Sequence, residues 1–229
     1  MLNTKEEEIP QEEEPEEEEG ASHEEEEDSL DASLLQMQFG EEEKLRSIAL
    51  FGEVNETRAE EIIFSLHAAH MTRTKKVPVD YEDITKGFKE EPQSVDFLIS
   101  TVGGDATDMF AIYDTVRYLR EDMDIKTFGL GKVMSAGVLL LSCGTKGHRR
   151  IGRYCRVMLH GVASGTQGNI SNLTTEMAEI KRMQELYIEA IVAETNLTKT
   201  QLKRMISKNV NVYLSAEQAI EYGIADIIV

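Results

Sequence analysis

An α/β fold is predicted by three features of the chain. Apolar, strand-like segments alternate with segments of helical periodicity. The clearest strand candidates end at glycines or at a polar residue followed by glycine. The acidic excess is gathered at one end, leaving a remainder of ordinary globular composition.

The elements follow in order. Ser47 to Gly52 reads as a strand ending at a glycine. Asn55-Glu56-Thr57 begins a helix whose apolar positions Ile62, Ile63, Leu66 and Ala69 recur at helical spacing through His70. Met71 to Ser94 is polar, with Pro78, Gly87 and Pro92, and is expected to be a long surface excursion. Val95 to Ser100 is the second strand, running through Thr101-Val102 into Gly103-Gly104, with a helix from about Asp108 to Arg120 behind it. Ile125 to Leu130 is the third, meeting Gly131 to Gly137 and the apolar run Val138 to Leu141. Arg156 to Leu159 is a further strand, ending at His160. After a glycine-rich stretch, Gly161 to Ile170, a long helix over Asn172 to Glu194 carries Met177, Ile180, Met183, Tyr187 and Ile191 on one side. A helix over Lys199 to Ile206, a strand over Val210 to Leu214, and a helix begun by Ser215-Ala216-Glu217 and stopped by Gly223 complete the pattern.

The formal charge is −19, yet residues 1–28 hold fifteen acidic residues against one lysine. A run so acidic, interrupted by Pro10 and Pro15, cannot bury enough surface to fold alone, so 1–28 is expected to be a disordered arm. Residues 29–46 are a linker or short amphipathic segment, and 47–229 form the domain. No basic stripe offers a nucleic-acid surface. No run reaches the roughly 18 apolar residues that cross a bilayer, and the acidic start is the reverse of a secretory leader. Cys143 and Cys155 form no metal-type spacing, so no metal or cofactor is expected. They suit small core residues in a reduced, cytoplasmic compartment.

Three strand ends carry candidate chemistry. Gly103-Gly104 leaves backbone amides uncrowded by side chains, open to a substrate oxygen. Ser135 stands between glycines ahead of an apolar helix. A nucleophile there is exposed on a sharp turn, with the amide of Ala136 beside it to meet an oxyanion. His160 closes an apolar strand before a glycine, where it can serve a serine on a neighbouring strand end as general base. Each signal alone has a plainer reading: a serine after a glycine turn is commonly a helix cap, a histidine ending a strand is commonly structural, and a Gly-Gly pair is commonly a turn.

Residues 48 to 228 resemble the proteolytic subunit of the Clp protease. The resemblance rests on Ile48-Ala49-Leu50-Phe51-Gly52, Gly103-Gly104, Ala111 to Thr115, Gly131 to Gly137, Gly144 to Arg149, Arg156 to His160 and Tyr213 to Gly223, met in that order. It implies a crotonase-like fold of repeated β-β-α units with a protruding handle helix from about Asn172. It implies a serine endopeptidase acting on unfolded polypeptide, assembled as a homo-oligomeric ring of seven, usually two stacked, and fed by an AAA+ unfoldase. It assigns Ser135 as nucleophile, His160 as base, and Gly104 and Ala136 as the oxyanion-hole amides.

This chain departs from the family pattern at Asn211, which stands where the third catalytic residue is an aspartate. Asp226, close in sequence, is placed away from the site by the resemblance. Val102 replaces a proline, Gly161-Val162 replace Gln-Pro, and Val210 replaces a ring-coupling arginine. Two readings therefore stand beside each other: a peptidase using Ser135, His160 and Asn211, or a weakly active or non-catalytic structural ring subunit. A crotonase-type acyl-CoA enzyme would share the fold, but the Ser135 and His160 order argues against it.

Overall fold

The computed structural model describes residues 46–229 except Thr166, Lys208 and Asn209. The acidic arm and nearly all of the 29–46 segment lie outside the described residues.

Strand β1 (Ser47–Val54) leads into α1 (Glu56–Met71), which Asn55 caps through its side-chain oxygen, accepting from the Arg58 amide at 3.0 Å. A hairpin follows, β2 (Thr74–Pro78) and β3 (Phe88–Pro92). Next come β4 (Val95–Gly104), α2 (Ala106–Leu119), β5 (Ile125–Met134), the fully buried α3 (Ala136–Ser142) and the two-residue β6 (Arg150–Ile151). Then β7 (Arg156–Leu159), α4 (Ile170–Glu194), α5 (Lys199–Ile206), β8 (Val212–Leu214), α6 (Ala216–Glu221) and β9 (Ile227–Ile228) close the chain. Capping boxes start α5, at Thr198 with Gln201, and α6, at Ser215 with Gln218.

The main sheet runs β1-β4-β5-β6-β9, all parallel. Strand β5 forks. Phe128 and Gly129 pair with β6, whereas Lys132 to Met134 pair with β7, in the register Met134↔Met158. Strand β8 lies antiparallel on β7, with Leu159↔Val212. The buried positions Leu50, Phe97, Ile99, Ile125 and Val133 face the helices, where Leu139, Leu140 and Leu141 are wholly inaccessible. Truncating any of these leucines to alanine is worth about 2.7–5 kcal/mol. The opposite sheet face stays open, with Phe51 and Val102 about half exposed.

Two stretches carry more regular structure than the sequence pattern indicates. The polar 71–94 surface stretch has regular structure at its centre, the β2–β3 ribbon, in register from Thr74↔Pro92 to Pro78↔Phe88. Its strands are largely exposed, so they carry charge on both faces and show no apolar alternation. Strand β4 extends through Thr101 and Val102 to end on Gly104 itself, and β5 continues past Gly131 to Met134. Glycine weakens a strand but does not end it when the neighbouring backbone needs the space.

Candidate active site

Strand β5 ends at Met134, and the next residue, Ser135, has φ 54 and ψ −119. It is the one non-glycine residue of positive φ among the described residues. Such a conformation is worth about 1–3 kcal/mol of strain in an L-residue and persists only where the surroundings over-determine it. Here the Ser135 amide donates to the Met158 carbonyl at 2.8 Å, and the Ser135 carbonyl accepts from Val138 N at 3.0 Å. The turn throws the hydroxyl clear of the helix it precedes. Ser135 occupies the N-cap position of α3 yet makes no side-chain capping bond, which removes the plainer reading of this serine.

Instead, the Ser135 Oγ lies 2.8 Å from His160 Nε2. With the ring proton on Nδ1, Nε2 accepts from the hydroxyl, the geometry in which an imidazole withdraws a proton from a nucleophile. The β5–β7 pairing produces this contact: Ser135 follows Met134, and His160 stands two residues beyond Met158, Met134's register partner. Both side chains are half-buried.

Gly103 closes the third side. A Cβ built there would sit 2.5 Å from the Ser135 Cβ and 3.0 Å from its Oγ, and the residue has φ 97. Only glycine lets β4 lie this close to the serine. The Gly103 amide donates to Thr101 Oγ1 at 3.0 Å and so is turned inward. Gly104, exposed at the strand end, packs its backbone against Val54, whose carbonyl would be 2.0 Å from an added Cβ.

Asn211 is placed differently. It is exposed and precedes Val212, whose partner Leu159 precedes His160. The β7–β8 pairing thus carries it to the neighbourhood of the imidazole, but among the described residues no hydrogen bond joins the two. Asp226 is committed elsewhere: its carboxylate accepts from Arg149 Nη2 at 2.5 Å, Arg149 Nε at 2.8 Å and the Gly147 amide at 2.7 Å. Burial raises its pKa, but the Arg149 guanidinium and these amides outweigh that and hold the carboxyl below its ordinary range.

The remaining chemistry-bearing groups are structural. His70 pairs with Asp122 at 2.6 Å. Cys143 and Cys155 are buried free thiols, and burial pushes Cys143 up to about 12. Among the described residues no group of three or more His, Cys, Asp and Glu side chains is placed to hold a metal ion, and no helix is long and apolar enough to cross a membrane. A depression lined by Ser94, Arg120 and Asp124 lies at the other, N-terminal end of the strands. The Ser135 cluster instead gathers at the carboxyl ends of β4, β5 and β7, where open α/β sheets place their sites.

Residues 88–229, more than half of the chain and including Ser135 and His160, match the Clp protease family. This chain belongs to that family. Similar curated proteins include the ATP-dependent Clp protease proteolytic subunit 4 of Rhodococcus jostii, 39% identical over 138 residues, which are 60% of this chain and 69% of that protein. Subunit 1 of Corynebacterium glutamicum is 38% identical over 135 residues, 58% of this chain and 63% of its own. The proteolytic subunit of Borreliella afzelii is 28% identical over 181 residues, 79% of this chain and 81% of its own. The chain thus spans about two thirds of the first two relatives. The mostly parallel sheet with its long, partly uncovered α4 is the crotonase-like architecture expected of a Clp protease subunit.

One contact to Ser135 has no counterpart in the sequence pattern. Tyr187, counted only as an apolar position of α4, donates its hydroxyl to the Ser135 carbonyl at 3.0 Å. Nothing in helical periodicity separates a tyrosine that fills a core from one whose hydroxyl reaches a backbone carbonyl.

Proposed function

We infer that this chain is a serine-type endopeptidase, the proteolytic subunit of a Clp-like self-compartmentalising protease that cleaves unfolded polypeptides. The observation that carries the reading is the 2.8 Å contact between Ser135 Oγ and His160 Nε2 at a strained turn that spares the hydroxyl from capping. Ser135 attacks the scissile carbonyl as its proton passes to His160. The amides of Gly104 and Ala136 receive the oxyanion, and the inward turn of the Gly103 amide supports Gly104 as the donor on β4. His160 then returns the proton to the leaving amine, and water releases the acyl group by the same path reversed.

Asn211 is the third member in this reading. Its amide oxygen can accept from Nδ1, but it brings no charge opposite the imidazolium, and the corresponding Asp-to-Asn exchange in chymotrypsin-type enzymes lowers turnover about 10⁴-fold. That among the described residues no hydrogen bond joins Asn211 to His160 favours a second reading, a weakly active or non-catalytic ring subunit. Ring assembly in sevens and feeding by an AAA+ unfoldase belong to the same proposal. Its support is the first half of α4, where Ile170 is 83% and Met177 53% exposed, apolar surface suited to burial between subunits. Hydrolysis of a short fluorogenic peptide by the wild-type chain, set against Ser135→Ala, separates the two readings: activity lost in the variant supports the peptidase, and no wild-type activity supports the structural subunit.

A further inference from the structure

The polar atoms of Ser135 are all bonded. Its amide is held by β7, its hydroxyl meets His160, and one of the two bonds to its carbonyl, from Val138 N, belongs to α3. The second bond to that carbonyl comes from elsewhere in the fold, from the hydroxyl of Tyr187 on α4 at 3.0 Å. Tyr187 is 5% exposed and lies in the core cluster. Burial raises its phenol pKa, so the hydroxyl keeps its proton across the working range and remains a donor.

The target of that bond matters more than its existence. The Ser135 carbonyl and the Ala136 N–H belong to one planar trans peptide and point in opposite directions. A donor fixed on the carbonyl therefore fixes where the N–H aims. It also polarises the same peptide unit, strengthening the N–H as a donor when negative charge develops in front of it. One helical turn earlier, Gln184 Oε1 lies 3.0 Å from the position of a Cβ on Gly161, the residue after His160. A single stretch of α4 thus abuts the backbone on both sides of the Ser135–His160 contact.

We propose that Tyr187 is a positioning residue which, by clamping the Ser135 carbonyl, aims the Ala136 N–H at the oxyanion and holds the nucleophile in its strained turn. The proposal rests on Ser135 being the nucleophile. A phenol that merely fills the core would affect stability alone; a clamp on the oxyanion donor acts in the transition state, where charge develops, and so acts on turnover.

The test is Tyr187→Phe, which keeps the ring and removes only the hydroxyl, with Ser135→Ala alongside as the blank. On a fluorogenic peptide, assayed well below the melting temperature, kcat is expected to fall about tenfold with KM within twofold of wild type and the pH midpoint unmoved. Labelling of Ser135 by a fluorophosphonate should slow in parallel. Tyr187→Met, lacking both ring and hydroxyl, should match the Phe variant in kcat while melting lower. Unchanged kcat in the Phe variant, with the wild type active, overturns the clamp. If the wild type neither cleaves nor labels, it is the reading of Ser135 as nucleophile that fails, and crystal structures of wild type and Tyr187→Phe decide the clamp alone. Rotation of the 135–136 peptide plane in the variant supports it, and an unmoved plane overturns it.

Discussion

Replacing Gly103 by alanine tests the site through its tightest contact. The added Cβ would stand 2.5 Å from the Ser135 Cβ and 3.0 Å from both its Oγ and the Met134 carbonyl oxygen. Carbon atoms in ordinary contact sit about 3.5–4.0 Å apart, so the serine must retreat by about 1 Å. The φ of 97 adds backbone strain of about 1–3 kcal/mol, and overpacking adds about 1–3 kcal/mol. At about 2–4 °C per kcal/mol for a domain of this size, the melting temperature should fall by roughly 5–20 °C. A displacement near 1 Å at a nucleophile is worth about 10²-fold in rate. Gly87→Ala is the control: φ is 85, but nothing lies within 4 Å of the added atom. It should lose stability through strain alone and leave reactivity at Ser135 intact. The assay is thermal melting together with the rate of labelling by a serine-directed fluorophosphonate at a temperature where both variants are folded. If Gly103→Ala labels as fast as wild type, β4 does not press on the serine as described and the site geometry is wrong.

Asn211→Asp should raise peptide turnover about tenfold or more, roughly 1.4 kcal/mol, with little change in KM, because a carboxylate near His160 acts on the imidazolium of the transition state; an unchanged rate between roughly pH 6 and 9 would remove Asn211 from the site. Asp226 predicts an acid-labile fold. Its folded pKa is depressed by Arg149, so its contribution is full above the ordinary aspartate pKa near 4 and is lost as pH falls through the lower folded value. Asp226→Asn, which leaves Arg149 only 4% exposed and short of its counter-charge, should lose about 3 kcal/mol at neutral pH and show a flatter stability profile below about pH 4. Denaturant melts across that range check both statements, and a variant as stable as wild type at pH 7 contradicts them.

The fold was legible where burial imposes a period. The helix over residues 199–206 and the strand–helix alternation around β4, α2 and β5 follow from apolar spacing that only a one-sided core demands. The β2–β3 ribbon was illegible because Thr74, Lys75 and Lys76 face solvent and bury nothing. The two-residue strands β6 and β9 are too short for any period. At the site, Ser135 and His160 stood out as polar residues at strand ends flanked by glycine, since a turn that presents a side chain needs that freedom. What brings them to 2.8 Å is the β5–β7 register, which pairs strands from distant parts of the sequence. Asn211 was found only through resemblance, and its separation from His160 depends on where β8 begins. Tyr187 and the capture of Asp226 by Arg149 are tertiary facts without a local signature.

If His160 arms Ser135 as a nucleophile, Ser135 must react with a serine-directed phosphonylating probe. Mass spectrometry after fluorophosphonate treatment of the native chain tests it directly. A single adduct is expected, on the peptide containing Ser135, absent in Ser135→Ala and formed about 10²-fold or more slowly in His160→Ala. An adduct on another serine, no adduct at all, or labelling of the His160→Ala variant at the wild-type rate would contradict it.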